Sequence, residues 1–385
     1  MKRKKNNNQP IKIVCLTPRL FVGGAERLMI DIFSRLDRQR FQPEWCCLEA
    51  DSDESVNWRA ELEKNGIEVI ILANKRRPDN KIGRLWRLIA IGWRLWRYLR
   101  KTQPDIVQTQ LFADIYRPIA KLAGVPTVIG VEHNLDYDEP AWTRWAKLIG
   151  RWSITGIIAV SWAVKQDIVR RYRYSSDKVE VIYNGIDWDK FFKPIIGSNL
   201  SNPVQSTWRL GAIGRLTEQK GFDILIKALA KLPQDISWQC SIAGTGPQAD
   251  YLNSLIIKFG LSDKIKLIGL QVDVPRFLNS LDWLIVPSRW EGLGLVILEA
   301  GAAGVPVLAS QADGIKEIIS HKHSGYLILP ERADELADGL VDVLTKINQS
   351  DYLVWAQNLQ KKVEKDFSIT MVVEQYQNYY ERFRQ

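Results

Sequence analysis

Short apolar runs rich in β-branched residues alternate with stretches of helical period along almost the whole chain, and this alternation constrains the fold most. The first run, residues 11–16, ends at Thr17-Pro18, and Gly23-Gly24 then opens a helical pattern in Leu28, Ile32 and Leu36. Equivalent runs recur at 45–48, 69–72, 106–109, 128–131, 157–160 and 179–182, most of them separated by helical stretches. Strands apolar on consecutive residues are buried on both faces, as in a parallel sheet covered by crossover helices.

The pattern breaks after Ile186-Asp187 into a turn-rich stretch, Lys193-Pro194 through Asn202-Pro203. A second series follows at 209–213, 238–243, 265–268, 283–286, 305–309 and 325–329. At about 150 residues per domain, 385 residues accommodate two. The expectation is an α/β protein of two doubly wound, Rossmann-like domains facing across a cleft. They span 1–192 and 208–366, with a linker at 193–207. Residues 367–385 carry Tyr376, Tyr379, Tyr380 and Phe383 at spacings of three or four, which reads as a helix docking back on the N-terminal domain.

Hydrophobic residues at 46% and charged residues at 25% exclude a disordered or collagen-like chain. Cys15, Cys46, Cys47 and Cys240 lack metal-ligand spacing and sit in apolar segments, so they read as buried thiols of a reducing compartment. There is no uninterrupted apolar run of about 18 residues, and the first ten residues are basic and polar, so the expected location is cytoplasmic. The net charge of +9 favours anionic partners, although the Lys2-Arg3-Lys4-Lys5 tail contributes part of it as a solvated arm.

Open α/β sheets bind ligands beyond the carboxyl ends of their strands. Arg215 and Lys220 follow the run 209–213, and such a cation pair suits a diphosphate, stabilising the charge that grows as a phosphate leaves. Glu291 and Glu299 lie eight residues apart after the run 283–286, around Gly292-Leu293-Gly294. Glycines there admit a ligand close to the backbone, the following helix offers free amides to an anion, and the Glu299 carboxylate can accept from a ribose diol.

These residues, with Gly23-Gly24-Ala25-Glu26, Glu132-His133-Asn134, the 181–187 segment, Gly214-Arg215-Leu216 and Ala243-Gly244-Thr245-Gly246-Pro247, resemble the group 1 retaining glycosyltransferases of the GT-B fold, which carry a Glu-x7-Glu motif. The resemblance implies transfer of a sugar from a nucleotide-diphosphate sugar to an acceptor hydroxyl, with retention and with no metal or other cofactor. It implies that Arg215 and Lys220 hold the diphosphate, Glu299 the ribose, and Glu291 with Gly292, Leu293 and Gly294 the donor sugar side. His133 would contact that sugar, and Gly23-Gly24 the phosphate or acceptor. Front-face displacement is the expected route; a double displacement with Glu291 as nucleophile is its rival. The stretch Asp313-Gly314-Ile315-Lys316-Glu317 departs from the family pattern, which more often shows a second glycine and a proline.

Other features have plainer readings. Gly244-Thr245-Gly246-Pro247-Gln248-Ala249 matches a dinucleotide fingerprint, but Pro247 disturbs its turn. The pairs Asp51/Asp53, Asp136/Asp138 and Asp187/Asp189 read as turn or cap chemistry and not as a metal site. Residues 75–101 interleave arginines and tryptophans, with Arg87, Arg94, Arg97 and Lys101 gathered on one face. Trp142, Arg144, Trp145, Lys147, Arg151 and Trp152 add a second basic-aromatic cluster within 142–152. Both fit an anionic membrane surface near a sugar or glycolipid acceptor, on the inner face of the membrane. A catalytically silent binding protein on the same scaffold is the alternative function. A nucleic-acid binder has no recognition motif to support it.

Overall fold

The computed structural model describes residues 9–20, 23–50, 58–74, 81–135, 141–195, 207–346 and 349–384. The acidic pairs Asp51/Asp53 and Asp136/Asp138, the basic tail, residues 75–80 and linker residues 196–206 lie outside the described residues. The chain divides into two compact units, residues 1–184 with 369–385, and residues 185–368.

The first unit is a seven-stranded sheet of β1 (Ile11–Thr17), β2 (Phe41–Cys47), β3 (Glu68–Ile71), β4 (Ile106–Gln110), β5 (Thr127–Glu132), β6 (Gly156–Ala159) and β7 (Val179–Val181). Its order is β3-β2-β1-β4-β5-β6-β7, all parallel. Its helices are α1 (Gly24–Arg35), α2 (Trp58–Lys64), α3 (Lys81–Thr102), α4 (Arg117–Leu122), α5 (Ala141–Gly150) and α6 (Trp162–Tyr172).

The second unit is a six-stranded parallel sheet of β8 (Trp208–Ile213), β9 (Trp238–Ala243), β10 (Ile265–Leu267), β11 (Trp283–Val286), β12 (Val307–Ser310) and β13 (Tyr326–Ile328). Its order is β10-β9-β8-β11-β12-β13. Around it stand α7 (Trp188–Phe191), α8 (Phe222–Leu229), α9 (Ala249–Lys258), α10 (Val274–Asn279), α11 (Leu295–Ala302), α12 (Ile315–Ile318), α13 (Ala333–Val341) and α14 (Gln349–Asp366). Both are Rossmann-like α/β units.

The runs that marked the strands are the cores. Ile13, Val14, Leu16, Val107 and Val128 are buried in the first sheet, and Leu210, Ala212, Ile242, Trp283 and Ile285 in the second. The four cysteines are free and buried among them. The final helix, α15 (Ile369–Glu381), packs on the first unit. Tyr376 and Tyr380 are buried there, and the Tyr380 hydroxyl donates to Gln108 Oε1 at 2.6 Å. The aromatic spacing read from the sequence is thus the contact stripe of this helix.

Helix α3 corrects one expectation. Arg87, half-buried, turns inward from the face it shares with Arg97 and Lys101, and Arg94, exposed on that face, also spends its guanidinium on a bond to the protein. Arg87 Nε donates to Glu49 Oε1 at 2.8 Å, and Arg94 Nη1 to the Leu72 carbonyl at 2.8 Å. These acceptors follow β2 and β3, where a nearby cation satisfies a carboxylate and an end-of-strand carbonyl. The outer face of α3 instead carries Trp86, Trp93 and Trp96, with Arg97 over the Trp93 ring at 5.6 Å and Arg100 over Trp96 at 5.7 Å. Among the described residues no helix is long and apolar enough to cross a membrane.

Candidate active site

In the second sheet β8 and β11 are neighbours, yet the chain leaves β8 for β9 on one side and β11 for β12 on the other. Loops departing in opposite directions leave a crevice at the carboxyl ends of this strand pair. Arg215, Lys220 and Glu291 all lie on these two loops.

The loops are tied together. At Gly221, which has φ +65° and caps α8, an added Cβ would stand 2.1 Å from the Pro287 carbonyl oxygen, so only glycine fits. The Arg289 amide donates to the Gln219 carbonyl at 2.8 Å, and its guanidinium forks onto Asp223 at 2.9 and 3.0 Å. A third loop closes from β12. The Gly314 amide donates to the Glu291 carbonyl at 3.2 Å, and a Cβ on Gly314 would meet the Gly292 carbonyl oxygen at 2.1 Å. The departure at Asp313-Gly314 therefore still supplies the one glycine this contact demands.

Within this frame Lys220 Nζ pairs with the buried Glu291 carboxylate, which also accepts from Ser288 Oγ at 3.0 Å. The carboxylate is thereby fixed, and the ammonium remains partly exposed. Arg215 is exposed, and its side chain has no ion-pair or hydrogen-bond partner among the described residues. Gly292-Leu293-Gly294 leads into α11, whose N-cap, Gly294, provides no side-chain cap, so the first amides of the helix are open to an acceptor. Glu299, one turn into α11, is partly buried. Loss of solvent pushes its carboxyl up to about 7, and Lys190 on α7 pulls the other way. A fixed carboxylate, two cations, an open helix end and a poised carboxyl can together take a diphosphate and a diol.

The loop Gly244–Pro247 braces this site and is not a separate one. The Leu216 amide donates to the Thr245 carbonyl at 2.9 Å, and the Gln248 amide to the Leu216 carbonyl at 3.0 Å.

In the first unit Gly23 is the N-cap of α1, in extended conformation and without a side-chain cap, with Gly24 exposed beside it. His133 follows β5. It is buried with neither ring nitrogen hydrogen-bonded, and burial lowers its pKa to about 4, so the imidazole is neutral.

Beside His133 lies a cluster that sequence reasoning missed. Arg117 Nη2 bonds Glu132 Oε1 at 2.9 Å and pairs with Asp114, and Lys147 Nζ lies 3.3 Å from Glu132 and 3.9 Å from Asp114. Arg117 Nε donates to Thr109 Oγ1 at 2.8 Å, and that hydroxyl donates to Asp114 at 3.1 Å. Burial pushes Asp114 up to about 7, and the two cations hold Glu132 below its ordinary value. Lys147, expected on the basic-aromatic surface, is buried here instead, because two buried carboxylates require two cations.

Comparison with known proteins agrees with this architecture. Residues 22–190 match the Glycosyltransferase Family 4 model, and residues 201–361 match the model of Glycosyl transferases group 1. An uncharacterized glycosyltransferase of Methanocaldococcus jannaschii is 33% identical over 58% of this chain and 59% of its own length. The Escherichia coli UDP-Gal:alpha-D-GlcNAc-diphosphoundecaprenol alpha-1,3-galactosyltransferase is 23% identical over 98% of both chains. The crystal structure of Anabaena HepE in complex with UDP-glucose superposes with a TM-score of 0.79 at 22% identity, covering 97% of this chain and all of that one. Two Rossmann-like sheets, each half matched by a glycosyltransferase family model and only the second half by that of group 1, place the chain among the glycosyltransferases of the GT-B fold.

Proposed function

We propose that this glycosyltransferase is a retaining enzyme that takes its sugar from a nucleoside-diphosphate sugar, without a metal. In this reading it transfers to a hydroxyl of a sugar or glycolipid in cell-surface polysaccharide or lipopolysaccharide assembly. The observation that carries the reading is the Lys220–Glu291 pair at the switch point of the second sheet, with Arg215, unpartnered among the described residues, on the same loop as Lys220. Similarity to a structure bound to UDP-glucose and to a galactosyltransferase named for a diphosphoundecaprenol substrate supports a UDP-sugar donor and a lipid-linked acceptor.

In the proposed reaction the bond from the anomeric carbon to the diphosphate oxygen breaks, and its electron pair stays on that oxygen. Arg215 and Lys220 stabilise the charge so formed. The acceptor oxygen attacks from the face the diphosphate leaves, and its proton passes to the departing oxygen. Glu291, already engaged by Lys220 and Ser288, stands as a fixed carboxylate beside the cationic sugar. From the first unit the reading takes the neutral His133 as a contact to the donor sugar, and the Gly23-Gly24 amides as contacts to phosphate or acceptor. Arg215 and Lys220 do the work a divalent ion would do. Transfer should therefore proceed at the same rate in EDTA; loss with EDTA and recovery with manganese would refute metal independence.

Glu299 gives a second test. Its carboxyl, raised to about 7, accepts from both ribose hydroxyls most strongly when ionised. Binding of UDP-glucose should therefore release a proton between about pH 5 and 7, and affinity should fall as pH drops below 7. Calorimetry in buffers of different ionisation enthalpy reads this release, and Glu299→Gln should abolish it. Unchanged release in that variant would remove Glu299 from the ribose site.

The same reading sets the first unit at an anionic membrane surface. The outer face of α3 exposes Trp86 and Trp93, and α5 exposes Trp145 and Ile149, both among arginines, and apolar side chains ringed by cations suit an interface of headgroups and acyl chains.

A further inference from the structure

One part of that surface is shaped. Between α5 and the C-terminal end of α6 lies a depression of about 340 Å³, lined by Arg144, Trp145, Leu148, Ile149, Arg151, Arg171 and Arg173. Four arginines line it, and of these Arg171 pairs with Asp167 at 2.8 Å. Arg144, Arg151 and Arg173 are exposed with no side-chain partner among the described residues.

Three exposed guanidiniums on one depression give it a positive field that attracts an anion. Arg173 is moreover held in the left-handed region at φ +54°, as the C-cap of α6, which fixes where its side chain leaves the backbone. Planar forked donors engage the paired oxygens of a phosphate or a carboxylate and have no such match to a halide. The remaining walls are apolar and outward-facing: Trp145 is 64% and Ile149 69% exposed, and Trp152 next to them 58%. A soluble phosphate needs no such rim, but a phosphate carried on acyl chains does.

The site is also separate from the chemistry. The C-terminal ends of α5 and α6 lead into β6 and β7, so the depression lies at the amino-terminal edge of the first sheet, opposite the loops that hold Gly23 and His133.

We propose that this depression binds the phosphate headgroup of an anionic membrane lipid, with Trp145, Ile149 and Trp152 entering the bilayer interface. The inference deepens the membrane-surface reading above and rests on it. The test is co-sedimentation of the full chain with vesicles of phosphatidylcholine alone or mixed with phosphatidylglycerol, alongside thermal shifts in inorganic phosphate.

Wild type should bind only the anionic vesicles. R144A/R151A/R173A should weaken that binding on the order of 100-fold, from about 1 kcal/mol for each lost charge. The charge-preserving R144K/R151K/R173K, which keeps the net field but loses the forks, should still weaken it about tenfold, whereas R97K/R100K on α3 should not. These side chains are exposed, and an unchanged melting temperature will verify the fold of each variant. Wild-type affinity in the lysine variant would overturn the headgroup site while leaving membrane association standing. Failure of wild type to bind any vesicle would overturn both. Phosphate stabilisation that only the wild type shows, without vesicle binding, would assign the pocket to a soluble phosphate and refute the lipid.

Discussion

Lys220→Ala should lower the rate of sugar transfer by about 10²- to 10³-fold, the cost of removing one preorganised charge from a leaving group. Two roles of the ammonium meet in that figure. It neutralises the buried Glu291 carboxylate, and in the proposed reaction it faces the diphosphate. The double variant Lys220→Met with Glu291→Gln separates them. Removing both charges together should restore the melting temperature that Lys220→Ala loses, because no unpaired charge stays buried. Binding of the nucleoside-diphosphate sugar should not return with it, since the diphosphate still lacks its cation; a double variant that binds the donor like wild type would leave Lys220 only the task of balancing Glu291. Arg215→Ala, which breaks no interaction among the described residues, should lose activity by a similar factor at unchanged melting temperature. Steady-state transfer rates with a UDP-sugar across these variants provide the comparison, and full activity in Arg215→Ala would remove it from the site.

The largest effect on stability should come from Arg117→Met. This guanidinium is 2% exposed and satisfies Glu132, Asp114 and Thr109 at once. Removing it leaves two buried carboxylates with Lys147 alone, a change that costs about 3–5 kcal/mol. In a unit of this size that is a fall of roughly 10 °C in melting temperature. The loss should depend on pH with a definite sign. Asp114 is already raised to about 7 and rises further without Arg117, while Glu132, held below its ordinary value by two cations, loses one of them. Groups so raised favour the fold when protonated and burden it as pH rises through their folded pKa. The variant should therefore regain part of its stability between pH 7 and pH 5. Thermal unfolding at both values tests this; a deficit under 1 kcal/mol, or one that deepens on acidification, would contradict the buried cluster.

How the sequence conveyed these features follows from their physics. Both sheets were legible because a doubly covered strand must be apolar at consecutive positions, and Ile-Lys-Ile-Val-Cys-Leu or Trp-Leu-Ile-Val has few other uses. That Arg215, Lys220 and Glu291 stand just after strands was legible from the apolar runs before them, and the strand order brings their two loops together. The buried cluster was not. Asp114, Arg117, Glu132 and Lys147 come from four segments, and pairing across them is a tertiary fact without a sequence period. The available hint was Glu132, a carboxylate closing a strand buried throughout, which cannot lack a cation. Lys147 was misplaced for the converse reason: among Trp and Arg on an amphipathic helix it looks like one more surface charge. Arg87 and Arg94 were misread likewise, because helical spacing gives the face of a side chain but not the acceptor it bends to reach.

The most direct test of the account is binding of UDP-glucose and related nucleoside-diphosphate sugars, followed by thermal shift on wild type and on Arg215→Ala with Lys220→Ala. The account requires that at least one donor raise the melting temperature of the wild type, with the shift growing with ligand concentration, and that the double variant lose it. A shift that survives in the double variant would show that these two side chains do not hold the donor, and the proposed active site would be wrong.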